Sequence, residues 1–300
     1  MLKKFLVLFL CFAMCLCFAA CGKDEDAQSA IDKLPCSSTI GVDAWPRVDG
    51  ALGCLPYYEN AAAKLLHMDI EEARGYVWDN NTPAAFSEIA NGEVDLIFCL
   101  HGSGEQEAAC AENGVELTYT PFALDAFVFF VNKDNPVDSL TMQLLADIYS
   151  GKITNWKEVG GKDEEIVAYQ RNIGSGSQTG LYEYIISEDE VMEPATEQRI
   201  GTMGEIIDAV ASYDNASGAL GYSYLYYVTN QHYEGDIKLL QIGGVAPTNK
   251  NIQSGEYPMI TEKCCITSNK SCAMAQVVVD WCTSSEGQAL AEVLGYVPVN

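Results

Sequence analysis

The sequence predicts an α/β protein in which about 260 residues fold either as one large domain or as two lobes with a cleft between them. Two observations carry the prediction. Short apolar runs alternate along the chain with segments whose apolar residues recur at helical spacing, the pattern of strands joined by crossover helices on a largely parallel sheet. Proline and glycine punctuate these segments where helices start and stop.

The first residues set the compartment. Lys3 and Lys4 give a basic start, Phe5 to Phe18 is an apolar run too short for an ordinary membrane span, and Ala19-Ala20-Cys21 is a small-small-Cys ending. The pattern resembles a bacterial lipoprotein signal, in which residues 1–20 are removed and Cys21 carries the lipid that holds the protein on the outer face of the cytoplasmic membrane. The plainer alternative is a secretory peptide in which Cys21 is incidental. Residues 21–37, with Lys23, Asp24, Glu25, Asp26, Gln28 and Ser29, suit a flexible tether.

The elements then follow in order. Pro46 to Ala51 reads as an extended piece ending in a glycine turn. Pro56 opens a helix carrying Tyr58, Ala61, Ala62, Leu65 and Leu66 on one face. Thr82 as N-cap and Pro83 at the first helical position open a second, with Ala85, Phe86, Ile89 and Ala90 inward. Val94 to Leu100 reads as a buried strand, and so does Phe122 to Val131, interrupted only by Asp125. A helix runs from Ser139-Leu140-Thr141 to Ile148 and stops at Gly151, with Trp156 beyond it as a core residue. Val167 to Gln170 is a short strand, Met203 to Ala211 a helix, and Gly218 to Ser223 an apolar strand between glycines.

Composition excludes several functions. With 42 Asp and Glu against 17 Lys and Arg, a net charge of −25 argues against nucleic acid or an anionic membrane surface as partner. Of the 12 cysteines, Cys11, Cys15 and Cys17 fall in the signal and Cys21 is the lipidation candidate. Cys36, Cys54, Cys99, Cys110, Cys264, Cys265, Cys272 and Cys282 remain, either as disulfides outside the membrane or as buried thiols in a chain from an anaerobic source. No Cys-x-x-Cys pair occurs and His67, His101 and His232 are scattered, so the sequence supports no metal or other cofactor. Nor does it gather a nucleophile, a base and an orienting group, so no enzyme is indicated.

The stretch Arg171-Asn-Ile-Gly-Ser-Gly-Ser-Gln-Thr-Gly180 is the strongest functional feature. Gly174 and Gly176 allow backbone N–H groups to converge, Ser175, Ser177 and Thr179 add hydroxyls, and the helical pattern of Leu181 to Ile186 places the turn at a helix N-terminus, where an oxyanion is favoured. The competing reading is a polar surface loop. The stretch fits neither a nucleotide P-loop nor a serine nucleophile elbow. In so acidic a chain, an anion site must rely on Arg171 and local dipoles.

Taken in order, Asp125-Ala126 with its apolar run to Asn132, Asn135-Pro136, Leu140-Thr141, Ile148 to Ile153, Asn155-Trp156, Arg171 with Gly174-Ser175-Gly176, Gly218 to Tyr222, Gly255 to Pro258 and Gly295 to Pro298 resemble the phosphate-type solute-binding proteins of ABC importers. The resemblance runs from about Pro46 to Asn300. It implies a two-lobed periplasmic-binding-protein-like fold of type II with the ligand in the cleft. Lobe 1 would be residues 38–126 and 258–300, and lobe 2 residues 127–257. The implied partners are inorganic phosphate or a similar oxyanion and the permease subunits, with the protein acting as a monomer. The ligand would rest on Arg171, Ser175, Gly176 and Ser177 from lobe 2, and on Thr82 and the backbone of Gly50, Ala51 and Leu52 from lobe 1.

Two departures from the family pattern stand out. The family's Asp-Gly-Ser-Thr loop is here Asp49-Gly50-Ala51-Leu52, so two hydroxyls are replaced by apolar side chains. The family's proton-accepting aspartate falls at Leu100, beside His101, which reads either as a ligand contact or as a solvated loop residue. Tyr222, Tyr224, Tyr226 and Tyr227 read more simply as packing than as cleft lining, and Asp125 as a structural group at a hinge. These departures keep open an alternative: a surface sensor or adhesion-type lipoprotein with an altered pocket that is not specific for phosphate.

Overall fold

The computed structural model describes residues 28–194, 198–212, 217–231 and 236–299. The signal segment, Cys21 and His232 lie outside the described residues. No helix among those described is long and apolar enough to cross a membrane. The strands are β1 (Val48–Gly50), β2 (Leu96–Cys99), β3 (Leu117–Asn132), β4 (Ser139–Leu140), β5 (Val167–Ala168), β6 (Gln170–Arg171), β7 (Arg199–Ile200), β8 (Ala219–Tyr224), β9 (Ile237–Leu239), β10 (Gln241–Ile242), β11 (Ile260–Ser268) and β12 (Val297–Pro298).

The principal sheet runs β1-β2-β11-β3-β8-β5, with β9 and β12 also paired to β3. β3 organises it. From Phe122 to Val131 every residue but Asp125 is apolar and all but Leu124 are buried, which suits a strand covered on both faces. Its first part pairs with β11 as far as Ala126 opposite Ile260, and its second part with β8 from Phe127 opposite Tyr224. The core divides at the same place. One apolar cluster draws on residues 126–259 with Val297, while the others gather residues before Phe127 and after Met259, with Tyr226 added. The result is a two-lobed α/β fold.

The sheet is mixed rather than largely parallel. β1 pairs with β2 and β5 with β8 in parallel, as strands joined through helices do, but β11 lies antiparallel between β2 and β3 and β8 lies antiparallel to β3. The chain leaves the first lobe along β3 and must return along β11, so these two run in opposite directions.

Asp125 sits where β3 changes partner. Its Oδ1 accepts the N–H groups of Ala126 (2.8 Å) and Tyr226 (3.1 Å), and its Oδ2 lies 2.9 Å from Lys263 Nζ. The Tyr226 and Tyr296 rings stack at 3.6 Å, with the ammonium 5.5 and 5.6 Å from their centres. Asp125 is therefore a structural group at the crossover.

Helix α1 (Leu55–Leu66) carries Pro56 in its first turn and buries Tyr57, Tyr58, Ala61, Ala62 and Leu65. Helix α2 (Thr82–Asn91) is capped by Asn81, not Thr82: Asn81 Oδ1 accepts the Ala84 N–H at 3.1 Å. With the cap one residue earlier, the Thr82 hydroxyl is released from capping. Helix α3 (Gly176–Tyr184) starts well before its apolar pattern, with Ser175 as N-cap. The weak helix formers Gly176 to Gly180 are held by that cap and by packing, since a Cβ at Gly180 would meet Tyr224 Oη at 2.7 Å and Phe127 at 2.9 Å.

The stretch expected to be a tether is anchored before residue 37. Ile31 is buried, Lys64 Nζ donates to the Leu34 carbonyl at 3.0 Å, and the Ser37 N–H donates to Glu286 at 3.0 Å. The polar composition of the segment hid a single apolar anchor. Cysteines 36, 54, 99, 110, 264, 265, 272 and 282 are all free thiols, and all but Cys36 and Cys272 are buried.

Candidate anion-binding cleft

The second-lobe wall is built on β6. Its pairing with β7 presents Arg171 beside the turn into α3. The Arg171 N–H is fixed by Gln178 Oε1 (2.8 Å) and by the Tyr222 hydroxyl (2.9 Å), which explains why Tyr222 is buried behind the wall. The guanidinium donates from Nε to the Ile200 carbonyl (3.1 Å), from Nη2 to the Gly201 carbonyl (3.0 Å) and from Nη1 to Ser177 Oγ (3.5 Å). All three partners are neutral. A guanidinium has five N–H donors, so about two remain for a ligand.

Ser175 spends its hydroxyl on the helix cap, accepting the Gln178 N–H at 3.3 Å. The Gly176 and Ser177 N–H groups have no protein acceptor among the described residues, as expected of the first two positions of a helix. They point the positive end of the α3 dipole at the cleft.

The first-lobe wall is different in kind. Ala51, Leu52, Thr82, Pro83 and Leu100 line the cavity opposite Arg171. Gly50 does not line it, and its N–H is taken by Asp49 Oδ1 at 2.7 Å. The Ala51 N–H is likewise taken, by the Phe98 carbonyl at 2.8 Å. The expectation that the Gly50 and Ala51 backbone would donate to a ligand therefore fails: sheet and turn bonding consume both groups. Gly50 is glycine for another reason, since a Cβ there would lie 2.6 Å from the Phe98 carbonyl oxygen.

The walls approach closely. A Cβ on Gly176 would stand 3.6 Å from Thr82 Oγ1 and 4.0 Å from Leu100 Cδ1. Between them lies a cavity of about 320 Å³. Its lining includes two cations, Arg171 and Lys263, and no carboxylate. Lys263 is 2% exposed; burial pulls its pKa down, but Asp125 and its other neighbours outweigh that and leave it raised. Arg171 is 6% exposed, and burial holds its pKa below the usual value, with no ion pair to any described carboxylate. A buried guanidinium without an ion pair to a described carboxylate, in a cavity lined by no carboxylate, is chemically suited to an anion.

Residues 77–286 match the profile of the PBP superfamily domain, well over half of the chain. The chain belongs to the PBP superfamily. Among curated relatives, the phosphate-binding protein PstS of Bacillus subtilis is 26% identical, over 99% of this chain and 94% of its own length. Of solved PBP-type structures, a putative phosphate ABC transporter substrate-binding protein from Clostridium perfringens superposes with a TM-score of 0.68 at 23% identity, covering 85% of this chain and 99% of that one. A phosphate transport receptor from Vibrio cholerae superposes at 0.63 and 20%, over 84% and 99%. These likenesses show the two-lobed fold of the superfamily.

Within this PBP fold, Arg171, Ser175, Gly176, Ser177, Thr82, Ala51 and Leu52 all line one cavity. Among the further lining residues, Lys263 and Thr202 escaped sequence reasoning, and Tyr227, expected to pack, lines the cleft as well. Lys263 had a signal, the one cation of its strand, standing next to the apolar Cys264-Cys265-Ile266. Tyr224 and Tyr227 reach the cleft, whereas Tyr222 and Tyr226 support it from behind. His101 stays outside the lining, exposed and stacked on Tyr119 at 4.3 Å, in keeping with a solvated loop residue. It also approaches Glu262 and Cys264, with one donor atom from each of the three within 4.8 Å. Burial and Glu262 push the Cys264 thiol up to about 12, which opposes a thiolate ligand there.

Proposed function

We propose that this chain is an extracytoplasmic solute-binding protein, lipid-anchored through Cys21, that captures a small tetrahedral oxyanion, phosphate foremost, and presents it to an ABC importer. One observation carries the reading: among the described residues, Arg171 is buried in the cleft with neutral hydrogen-bond partners only, beside the N–H groups of Gly176 and Ser177, which have no protein acceptor. An anion there gains charge-assisted bonds to buried donors, and it balances a charge that no ion pair to a described carboxylate compensates. The names of the relatives point the same way. The chain's role is binding and delivery, without a catalytic step.

The change of strand partner at Ala126/Phe127 and the return through Ile260 support lobe 1 as residues 38–126 and 258–300 and lobe 2 as residues 127–257, hinged at the two crossovers. A specific observation also favours a second reading, a surface sensor with an altered pocket. Ala51, Leu52 and Leu100 make the first-lobe wall apolar where the importer family carries hydroxyls and a carboxylate.

The test uses the soluble chain beginning after Cys21, titrated with phosphate in a calorimeter and melted with and without it. Binding stabilises the fold by about 2.7 kcal/mol when phosphate is a hundredfold above its Kd, so a clear rise in Tm is expected. No heat and no rise with millimolar phosphate would overturn the phosphate reading. For the anchor, Cys21→Ser is expected to release the protein from the membrane fraction; retention there would overturn lipidation at Cys21.

A further inference from the structure

Granting that the cleft takes an oxyanion, we propose that its preferred ligand is a monosubstituted phosphoryl anion, R–PO₃²⁻ with a short apolar R such as an alkylphosphonate, rather than orthophosphate. The two walls divide the ligand between them. Three oxygens of a tetrahedral head can be met by Arg171 and the Gly176 and Ser177 N–H groups. The fourth position faces Leu100, whose Cδ1 stands 4.0 Å from the Cβ position of Gly176 at that same helix start. Leu52 and Ile173 continue the apolar surface, and both are unusually exposed for large aliphatic side chains, at 45% and 61%.

The chemistry of that fourth position decides the preference. Orthophosphate near neutral pH always carries at least one P–OH, a donor that requires an acceptor. The lining offers no carboxylate, and the acceptor beside Leu100 at this corner is the neutral Thr82 hydroxyl, 3.6 Å from the same Cβ position, which in an anion site is better used donating to a charged oxygen, so the O–H is poorly met. A P–C bond placed there has no donor to satisfy and buries its carbon against Leu100. Sulfate lacks the proton but would press a charged oxygen onto the same leucine. The cavity of about 320 Å³ leaves room beyond a bare tetrahedral ion, at the lower end of the range of about 300–1,000 Å³ for small-molecule pockets.

The experiment is a calorimetric titration of the soluble chain, at mildly alkaline pH and fixed salt, with orthophosphate, sulfate, methylphosphonate and ethylphosphonate. Methylphosphonate is expected to bind about fivefold more tightly than orthophosphate, the margin between a charge-assisted bond from the Thr82 hydroxyl to a phosphoryl oxygen and a neutral bond from the P–OH to that hydroxyl. Ethylphosphonate should gain up to about fourfold over methylphosphonate for its extra methylene. Leu100→Asp should lower phosphonate affinity and bring orthophosphate level with it or ahead of it. Should that variant fold poorly, Leu52→Ser, on an exposed side chain, is expected to narrow the ethyl-over-methyl gain. Orthophosphate or sulfate binding as well as or better than the phosphonates would overturn this preference while leaving the oxyanion reading intact. Phosphonate binding with no detectable orthophosphate binding would uphold the preference and sink phosphate as ligand. Failure of all four anions to bind would overturn both.

Discussion

Arg171 and Lys263 are both buried cations lining one cavity, and they differ in what balances them. Lys263 is paired with Asp125 at 2.9 Å where the chain crosses between lobes, over the stacked rings of Tyr226 and Tyr296. Arg171 has carbonyls and a serine hydroxyl but no carboxylate among the described residues. A charge neutralised by the fold belongs to the fold, whereas a charge held ready but left unbalanced is reserved for a ligand. The walls of the cleft repeat the contrast: one presents unused backbone donors, and the other has spent the Gly50 and Ala51 N–H groups and presents the Thr82 hydroxyl among hydrocarbon.

Substitutions at the two cations and around them test the difference. The largest effect is expected from Arg171→Leu, which should weaken oxyanion binding by about 30-fold or more, the cost of about 2–5 kcal/mol for truncating a buried charged contact. Its ligand-free melting temperature should stay level or rise, because an uncompensated buried charge is removed. Asp125→Asn should do the opposite, costing about 3–5 kcal/mol in urea unfolding by stranding the Lys263 charge, while the folded fraction still binds. A matching loss of stability in both variants would dissolve the distinction between the two cations.

A smaller effect is expected from Ser175→Ala, about 1 kcal/mol of stability for a lost N-cap together with weaker binding at the loosened α3 start. The smallest lies behind the first-lobe wall. Burial and then the neighbouring Asp49 push the Glu88 carboxyl up to about 7. A carboxyl that holds its proton more tightly folded than unfolded stabilises at low pH and loses that contribution as pH rises from about 4.3, its unfolded value, through its folded value. Stability is therefore expected to fall across that window, and Glu88→Gln should flatten the fall. An unchanged slope of Tm against pH in the variant would show that another group is responsible.

Much of this was legible in the chain itself, for identifiable reasons. The Arg171 to Gly180 stretch could be read because glycines, hydroxyl residues and one arginine in that order have few roles besides converging donors. The apolar run of β3 announced a buried strand, and Asp125 within it announced a buried structural group. The cap of α2 was misplaced by one residue because Asn81 and Thr82 are both good caps, and local sequence does not choose between them. The antiparallel placement of β11 could not be read from periodicity, since strand direction follows from the path of the whole chain. Gly50 and Ala51 looked like donors because the Phe98 carbonyl across the sheet and the orientation of the adjacent Asp49 carboxylate, their acceptors, follow from the fold and not from local sequence. Lys263 became part of the cleft only once β11 was seen lying between β2 and β3.

On the proposed reading, the unbalanced charge of Arg171 is what makes this cleft a receptor. The most direct measurement is a paired calorimetric titration of the wild-type chain and Arg171→Leu with orthophosphate and methylphosphonate, each protein first shown by melting to be folded. Saturable binding by the wild type and none by a variant of equal or higher melting temperature is the predicted result. Equal binding by the two proteins, or loss of binding only together with loss of fold, would contradict it.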